Sequence, residues 1–325
     1  MLSVPAPHRL AVERLSRSAR AVEPDIDWTT PIDRSRRFYC EALTPLAYTR
    51  VYRELDEAHR LRYNQLTGIY SNELIGFLET FLLRRTLDAL AGRRDLALPA
   101  ALRSALHAFR AEEARHADLW KRLNRLSEPA WYADRDRRIL CLPAAVLTAA
   151  SVVASHPVAC PLVFWIQLSQ EERSIAISRA FARTVPGEIE PRYAAVYVAH
   201  LRDEVRHVQI DWHLIEHFFA GRPAAIRRLH AWAFRRLVGA LFLVPAGSTA
   251  RIVHLLVTEC PELRPLAGRM LRELRALRHD DTYQSMMYSR EATPITFALF
   301  DRFPEFHAMS RCLTAYRPRP TGARP

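Results

Sequence analysis

Two Glu-x-x-His pairs constrain the fold of this chain more than any other feature of its 325 residues. Glu113 and His116 form the first pair, and Glu204 and His207 form the second, with His200 one helical turn before it. Residues three and four apart share one face of a helix, so each pair directs a carboxylate and an imidazole to one spot. Two such helices, with one glutamate from each of two others, form the ligand set of a dinuclear metal centre in a helical bundle.

The first helix of the predicted bundle offers two candidates for a third carboxylate. Glu73 and Glu79 both lie on largely apolar stripes, so periodicity alone does not decide between them. Antiparallel helices joined by a loop at 92–99 should meet at matching heights. Glu79 is about as far before that loop as Glu113 is after it, and this favours Glu79.

The helix before the second pair offers Glu171 and Glu172 as the fourth carboxylate. Glu172 lies on an apolar stripe with Leu168 and Ile175, whereas Glu171 shares a more polar face with Ser174. Periodicity favours Glu172 and leaves Glu171 open as the alternative. The predicted metal ligands are Glu79, Glu113, His116, Glu172, His200, Glu204 and His207.

The chemistry of this ligand set indicates which metals it suits. Four carboxylates balance the charge of two divalent cations, and a mixed oxygen and nitrogen set with open positions suits two iron ions, Fe2+ or Fe3+. Manganese shares these ligands, whereas structural zinc and calcium prefer other sets. Asp211, one turn beyond His207, is expected to accept an imidazole N–H and so to orient the ring.

The rest of the chain predicts an all-α fold, a ferritin-like four-helix bundle with additional helices at the N- and C-terminal ends. Glycine is scarce, and no Asn-Gly or Asp-Gly hairpin turn occurs. An N-terminal arm is expected over 1–50, a single bundle domain over 51–310 with its core at about 52–220, and an Arg/Pro-rich tail over 311–325. The predicted helices run over 52–91, 100–126, 143–156, 161–183, 191–219, 224–243, 248–259 and 261–277.

Composition narrows the classes of function. The five cysteines show no C-x-x-C spacing, which is typical of reduced thiols in the cytoplasm. The apolar stretch 139–166 is interrupted by prolines, so no membrane span is predicted. The net charge of +12 comes almost entirely from scattered arginines that are not interleaved with aromatic residues, which predicts no nucleic-acid binding.

The run His200-Leu-Arg-Asp-Glu204-Val-Arg-His207 resembles the non-haem di-iron N-oxygenase family typified by the p-aminobenzoate N-oxygenase of aureothin biosynthesis. That family also places a ligand glutamate seven residues after an Asn, which supports Glu79 after Asn72. The resemblance covers roughly residues 60–220. Ser71 and Leu74 stand where the family enzyme carries a Tyr and an Arg near its substrate cavity, so the resemblance does not extend to those contacts.

The resemblance implies a cytoplasmic homodimeric monooxygenase of secondary metabolism. Its centre would use O2 to oxidise the amine nitrogen of a small molecule to a hydroxylamine, nitroso or nitro group. Electrons would come from an external ferredoxin or reductase, because no flavin or nicotinamide motif is present. The alternatives are a di-iron C–H hydroxylase or desaturase, and a non-catalytic ferritin-like metal-binding protein.

Overall fold

A computed structural model describes residues 9–18 and 25–319, and within these ranges it contains helices and no strand. The predicted all-α class is therefore confirmed. The described helices are α1 Val12–Ser18, α2 Glu57–Phe77, α3 Arg84–Ala91, α4 Ala100–Ser127, α5 Ala144–Ser155, α6 Leu162–Arg183, α7 Pro191–Phe218, α8 Ala224–Leu237, α9 Ala246–Glu259, α10 Ala267–Ala276, α11 Asp281–Met287 and α12 Pro294–Arg302.

Four long helices form the bundle: α2 packs on α4, α4 on α7, and α7 on α6. Each pair is antiparallel. In the first pair, Asn72 of α2 bonds to Asn124, while Glu79, in the helical segment that continues α2, bonds to Trp120, which lies earlier in α4. The long connection between α4 and α6 contains α5, which packs on α3. The fourth pair of neighbours, α2 and α6, encloses a cavity.

Two segments of π-helix interrupt the regular helices. Leu78–Leu83 joins α2 to α3, and Val238–Phe242 follows α8. A π-helix accommodates an extra residue and redirects the side chains around it, and such segments occur often at functional sites. Glu79 lies in the first of them and lines the cavity between α2 and α6. Phe242 lies in the second and lines that cavity too. The sequence pattern predicted uninterrupted α-helix at both places.

The segment expected as an N-terminal arm contributes to the core. Phe38 and Leu46 are fully buried. Asn64 of α2 accepts the backbone N–H groups of residues 38 and 39, and a Cβ at Gly68 would lie only 2.9 Å from the Phe38 Cβ. The glycine therefore permits the close approach of the arm to α2.

The C-terminal third covers the outer face of α6. Helices α8 and α12 both pack on α6, and Trp165 of α6 stacks on Phe306 with ring centroids 3.9 Å apart. Helix α12 and a 3-10 segment at Pro304–Arg311 were not predicted, and Tyr316 in the expected tail is fully buried. As a result α6 is buried on two sides, a point that decides which of its glutamates faces the bundle interior. The division into arm, domain and tail stays a prediction.

Among the described residues, only Ala224–Glu259 is long and apolar enough to cross a membrane by length and composition. The stretch is not one helix, because α8 with its π-helical extension ends before Pro245 and α9 begins after it. Val238 and Leu256 within it are fully buried in the protein core. A single stretch of this kind is weak support for a membrane span.

Candidate metal centre

Both Glu-x-x-His pairs face the interface between α4 and α7, where their side chains meet. Oε1 of Glu113 lies 3.4 Å from Nδ1 of His116 and 3.0 Å from Nδ1 of His207. Oε1 of Glu204 lies 3.3 Å from the same His207 nitrogen and 3.5 Å from that of His116. One potential ligand atom from each of the four residues lies within 4.8 Å of the other three, and all four residues are buried. This spacing would allow them to share a metal ion.

A second group of potential ligands adjoins the first and includes Glu79, in the π-helix that follows α2. Oε1 of Glu79 lies 3.2 Å from Nε2 of His200 and accepts the indole N–H of Trp120 at 3.0 Å. Nε2 of His200 is also 2.8 Å from Oε1 of Glu204. Glu204 therefore lies between the two groups, next to His116, His200 and His207. This position suits a carboxylate that serves two metal ions.

Each of the three imidazoles has its second nitrogen fixed by a hydrogen bond. Nε2 of His116 donates to Asp203 at 3.1 Å, and Nε2 of His207 donates to Glu112 at 2.9 Å. Nδ1 of His200 lies 3.1 Å from the Ser174 hydroxyl. Such partners determine which ring nitrogen is free for a metal and how the ring is oriented.

The two acidic partners are themselves tied together by Arg206 of α7, which donates to Glu112 and, at 3.2 Å, to Asp203. From the sequence, Asp211 was expected in this role. In the structure Glu112 is buried beside His207 instead, and both Asp211 oxygens lack a hydrogen-bond partner among the described residues. The sequence contained one signal for this arrangement. Asp203 and Arg206 are three residues apart on α7, a spacing that allows an ion pair.

Many of the buried polar atoms of the cluster lack hydrogen-bond partners in the part of the chain that the structure describes, as expected of atoms that bind a metal ion. Seven of them have no hydrogen-bond partner among the described residues: Oε2 of Glu79, both oxygens of Glu113 and of Glu204, and Nδ1 of His116 and of His207. Unpaired buried polar atoms are costly, and native proteins rarely leave so many together. Their short mutual contacts lack hydrogen-bond geometry, as expected of groups directed at a common ion.

The electrostatics of the cluster are strongly perturbed. Burial raises the pKa of Glu79 well above its ordinary value, and the neighbouring Glu113 adds to this rise. Burial opposes the charge on Glu113 as well, but the adjacent His116 and His207 outweigh it and lower its pKa to about 2. Burial opposes the charge on His116, yet Asp203 and Glu113 raise its pKa to about 10. In the metal-free protein, protons therefore take the place of cations in this carboxylate cluster.

Glu172 requires a correction to the predicted ligand set, because the structure does not bring it to the cluster. Its carboxylate accepts the backbone N–H groups of Ile295 and Thr296 at 2.7 and 2.8 Å, at the start of α12. The first N–H groups of a helix lack partners within the helix and attract negative charge. The apolar stripe that favoured Glu172 packs on the C-terminal helices. Periodicity shows that this face of α6 is buried, but it does not show which helices cover it.

The cavity between α2 and α6 lies next to the part of the cluster that contains Glu79 and His200. It has a volume of about 120 Å³, and Glu79, Glu171 and His200 contribute to its lining. Glu171 is buried and shares this wall with Ser174, the partner of His200. Glu73, the alternative on α2, is engaged elsewhere: its carboxylate accepts the Tyr132 hydroxyl and backbone N–H groups of residues 138–140.

The fold and the cluster together define a class of protein, the helical bundles with a buried cluster of carboxylates and imidazoles that could hold a metal. Comparison with protein families shows to which family of that class the chain belongs. The chain matches the family of the p-aminobenzoate N-oxygenase AurF over residues 7–250, which is most of its length, and it belongs to that family. Comparison with curated proteins gives no match.

Family membership confirms the resemblance predicted from the sequence and agrees with the all-α fold. It supports an oxygenase of the di-iron N-oxygenase type, and the buried His/Glu cluster could hold the metal.

Proposed function

We propose that this protein is a di-iron monooxygenase that uses O2 to oxidise the amine nitrogen of a small molecule, in secondary metabolism. The observation that carries the proposal is the convergence, beside a cavity, of seven potential ligand atoms that lack a hydrogen-bond partner among the described residues. They come from α4, α7 and the π-helix that follows α2. A mixed carboxylate and imidazole set suits iron, and manganese would use the same atoms.

The proposed ligands are the residues of the two groups together with one glutamate of the cavity wall. They are Glu79, Glu113, His116, Glu171, His200, Glu204 and His207. Glu171 replaces Glu172 in this set because its side chain lines the cavity next to Glu79 and His200. Four carboxylates and three imidazoles remain, so the charge balance with two divalent cations is unchanged.

When bound, the iron centre would supply the activation of O2, which is the source of the oxygen atom that nitrogen receives. The residues of the chain hold that centre and shape its surroundings. Asp203, Glu112 and Ser174 keep the three imidazoles oriented. Apolar side chains such as Leu78, Ile177 and Phe242 line the cavity and limit the access of water to the reacting nitrogen.

The first oxidation would convert an amine to a hydroxylamine. One atom of O2 goes to nitrogen and the other leaves as water, so two electrons and two protons are needed from outside the substrate. We propose that a ferredoxin or a reductase provides these electrons and that the protein acts in the cytoplasm.

We also propose a homodimer, and a surface feature supports it. Ile226, Leu229 and Trp232 lie at helical spacing on α8 and are 39%, 55% and 56% exposed. An apolar stripe of this kind is typical of an interface between subunits. A Trp232→Glu variant should be a monomer by light scattering, and wild type a dimer. Monomeric wild type would exclude the dimer, and it would also argue against a ferritin-like storage cage.

The proposed reaction is tested by adding O2 to the iron-loaded, chemically reduced protein with a panel of aryl and alkyl amines. Mass spectrometry with 18O2 should show labelled N–O products, and a Glu204→Ala variant should form none. Labelled C–OH products would instead identify a hydroxylase. Iron that oxidises without any organic product would favour the non-catalytic alternative.

A further inference from the structure

A further group of potential metal ligands lies where α2 begins and α9 ends. It consists of His59 in the first turn of α2, Cys260 directly after α9, and Glu262 in the 3-10 segment Pro261–Leu266. One potential ligand atom from each residue lies within 4.8 Å of the other two. Residues 59 and 79 are separated by about 20 residues of helix, or roughly 30 Å, so this group is distinct from the bundle centre.

The imidazole of His59 is held between two carboxylates. Its Nδ1 lies 3.0 Å from Oδ1 of Asp56, and its Nε2 lies 2.7 Å from Oε1 of Glu262. Asp56 is the N-cap of α2 and accepts the backbone N–H of His59 at 2.8 Å, so the helix fixes its position. An imidazole that donates one nitrogen to a carboxylate presents the other to a metal in a defined orientation. Nε2 is therefore the atom that would bind a metal together with Glu262.

The thiol of Cys260 distinguishes this group from an ordinary surface ion pair. Of the three groups of potential ligands among the described residues, it is the one that contains a sulfur atom. Zinc binds sulfur, imidazole nitrogen and carboxylate oxygen at about 2.0–2.3 Å in a tetrahedral arrangement, which places ligand atoms roughly 3–4 Å apart. The three side chains therefore need only small movements to reach one ion, and water would complete the fourth position.

The charges around the group favour a cation. Asp56 and Glu262 have no arginine or lysine partner in the described part of the chain. Arg62 lies one turn further along α2, but it is engaged by Glu259 at 2.8 Å and by Glu128 at 2.9 Å. The excess of negative charge at this point of the surface would attract a divalent cation.

We propose that His59, Cys260 and Glu262 form a zinc-binding site in which Asp56 orients the imidazole. The thiol would release its proton to solvent when the sulfur binds the metal. The ion would join the start of α2 to the end of α9. Both helices line the cavity beside the bundle centre, α9 through Ile252, so the ion would hold two of its walls together. The site does not depend on the proposed oxygenase function.

The test measures zinc in two proteins whose bundle centre is not free to bind it, the iron-loaded wild type and the Glu204→Ala, His207→Ala double variant. After incubation with Zn2+ and gel filtration, elemental analysis should find about one zinc per chain in each. Co2+ added in place of zinc should give the intense absorption of a thiolate bound to a tetrahedral metal ion. Protein that retains no zinc, or a cobalt complex without thiolate absorption, would overturn the site.

Variants in the double-variant background assign the metal to its ligands. Cys260→Ala and His59→Ala should each lower zinc affinity by more than about 100-fold. Asp56→Asn should lower it by about 10- to 100-fold, because it weakens only the partner of a ligand and still caps the helix. Cys141→Ser, which changes an exposed thiol elsewhere, is the matched control and should bind zinc as its parent does. Zinc binding that survives Cys260→Ala, or that is lost equally in Cys141→Ser, would contradict the proposal.

Thermal unfolding separates a zinc site from an ion pair that needs no metal. Zinc should raise the Tm of the double variant by several degrees, because it binds the folded state, and should leave the Tm of its Cys260→Ala derivative unchanged. A Tm that zinc does not alter would show that His59 and its carboxylates form only an ion pair, and would overturn the site. A chain that binds zinc here but no iron in the bundle would refute the proposed function alone. A chain that binds iron in the bundle but no zinc here would refute this site alone.

Discussion

The α4–α7 side of the candidate centre is closed, whereas the α2–α6 side opens on a cavity. On the closed side His116 and His207 each donate to a carboxylate, and Phe109 stacks on His207 with ring centroids 3.8 Å apart. On the open side the partner of His200 Nδ1 is the neutral hydroxyl of Ser174.

The difference separates two tasks that a metal enzyme must perform. Charged partners strengthen imidazole ligands and hold them in place, so the closed side is suited to retaining metal. Weaker support and an adjacent cavity suit the side where O2 and a substrate must approach. The π-helix at Leu78–Leu83 belongs to this open side.

The largest expected effect concerns the partners of the imidazoles on the closed side. Glu112→Gln and Asp203→Asn should each lower metal affinity by about 10- to 100-fold, and Ser174→Ala on the open side should lower it less. Competition with a chelator measures these affinities. The exposed Asp118→Asn on α4 is the control. A larger loss for Ser174→Ala than for both acidic variants would reverse the assignment of the two sides.

Metal binding should become tighter as pH rises through the neutral range. With a pKa of about 10, His116 is protonated in the metal-free protein, and that proton must leave when its Nδ1 binds a metal. Each proton released strengthens apparent affinity by roughly tenfold per pH unit below the pKa. Titration with a pH indicator should detect proton release on metal addition. Binding that is independent of pH between 6 and 8, taken as about the stable range, would contradict the assignment.

Two neighbouring glutamates of α6 should differ in the kind of effect that they produce. Glu171→Gln should lower metal content toward about one ion per chain and leave stability nearly unchanged. Glu172→Gln should retain the metal and lower the free energy of unfolding by about 1–3 kcal/mol, because the start of α12 loses a charged acceptor. Elemental analysis and denaturant unfolding measure the two effects. Metal loss in Glu172→Gln alone would restore the original assignment.

The smallest expected effect is that of Trp120→Phe, which removes the hydrogen bond to Glu79. Stability should fall by about 1 kcal/mol. The freed carboxylate should also weaken metal binding on the open side, with no change on the closed side. Thermal unfolding and a two-site metal titration test this, and equal weakening at both sites would contradict the distinction between them.

Sequence reasoning brought together the residues whose relative positions are determined by their spacing within one helix. A Glu-x-x-His pair needs only a helix, and the bounds of α4, α6 and α7 were predicted to within about two residues, an error usual at helix ends. Glu79 was favoured by its height relative to the 92–99 loop, and the structure places it next to His200.

Residues whose position depends on distant elements were not predictable in this way. Glu172 shares an apolar stripe, but that stripe faces α12, more than 100 residues later, rather than the bundle axis. The partnership of Glu112 with His207 depends on how α4 and α7 pack, which neither helix specifies alone.

The measurement that tests the central claim most directly is the iron content per chain of protein produced in iron-supplemented medium. It should be made beside a Glu204→Ala, His207→Ala double variant whose folding is checked by circular dichroism. About two irons per chain in wild type, lost in the folded variant, is the predicted result. Wild type without stoichiometric metal, or metal that the double substitution leaves in place, would contradict the assignment of this cluster as the dinuclear centre.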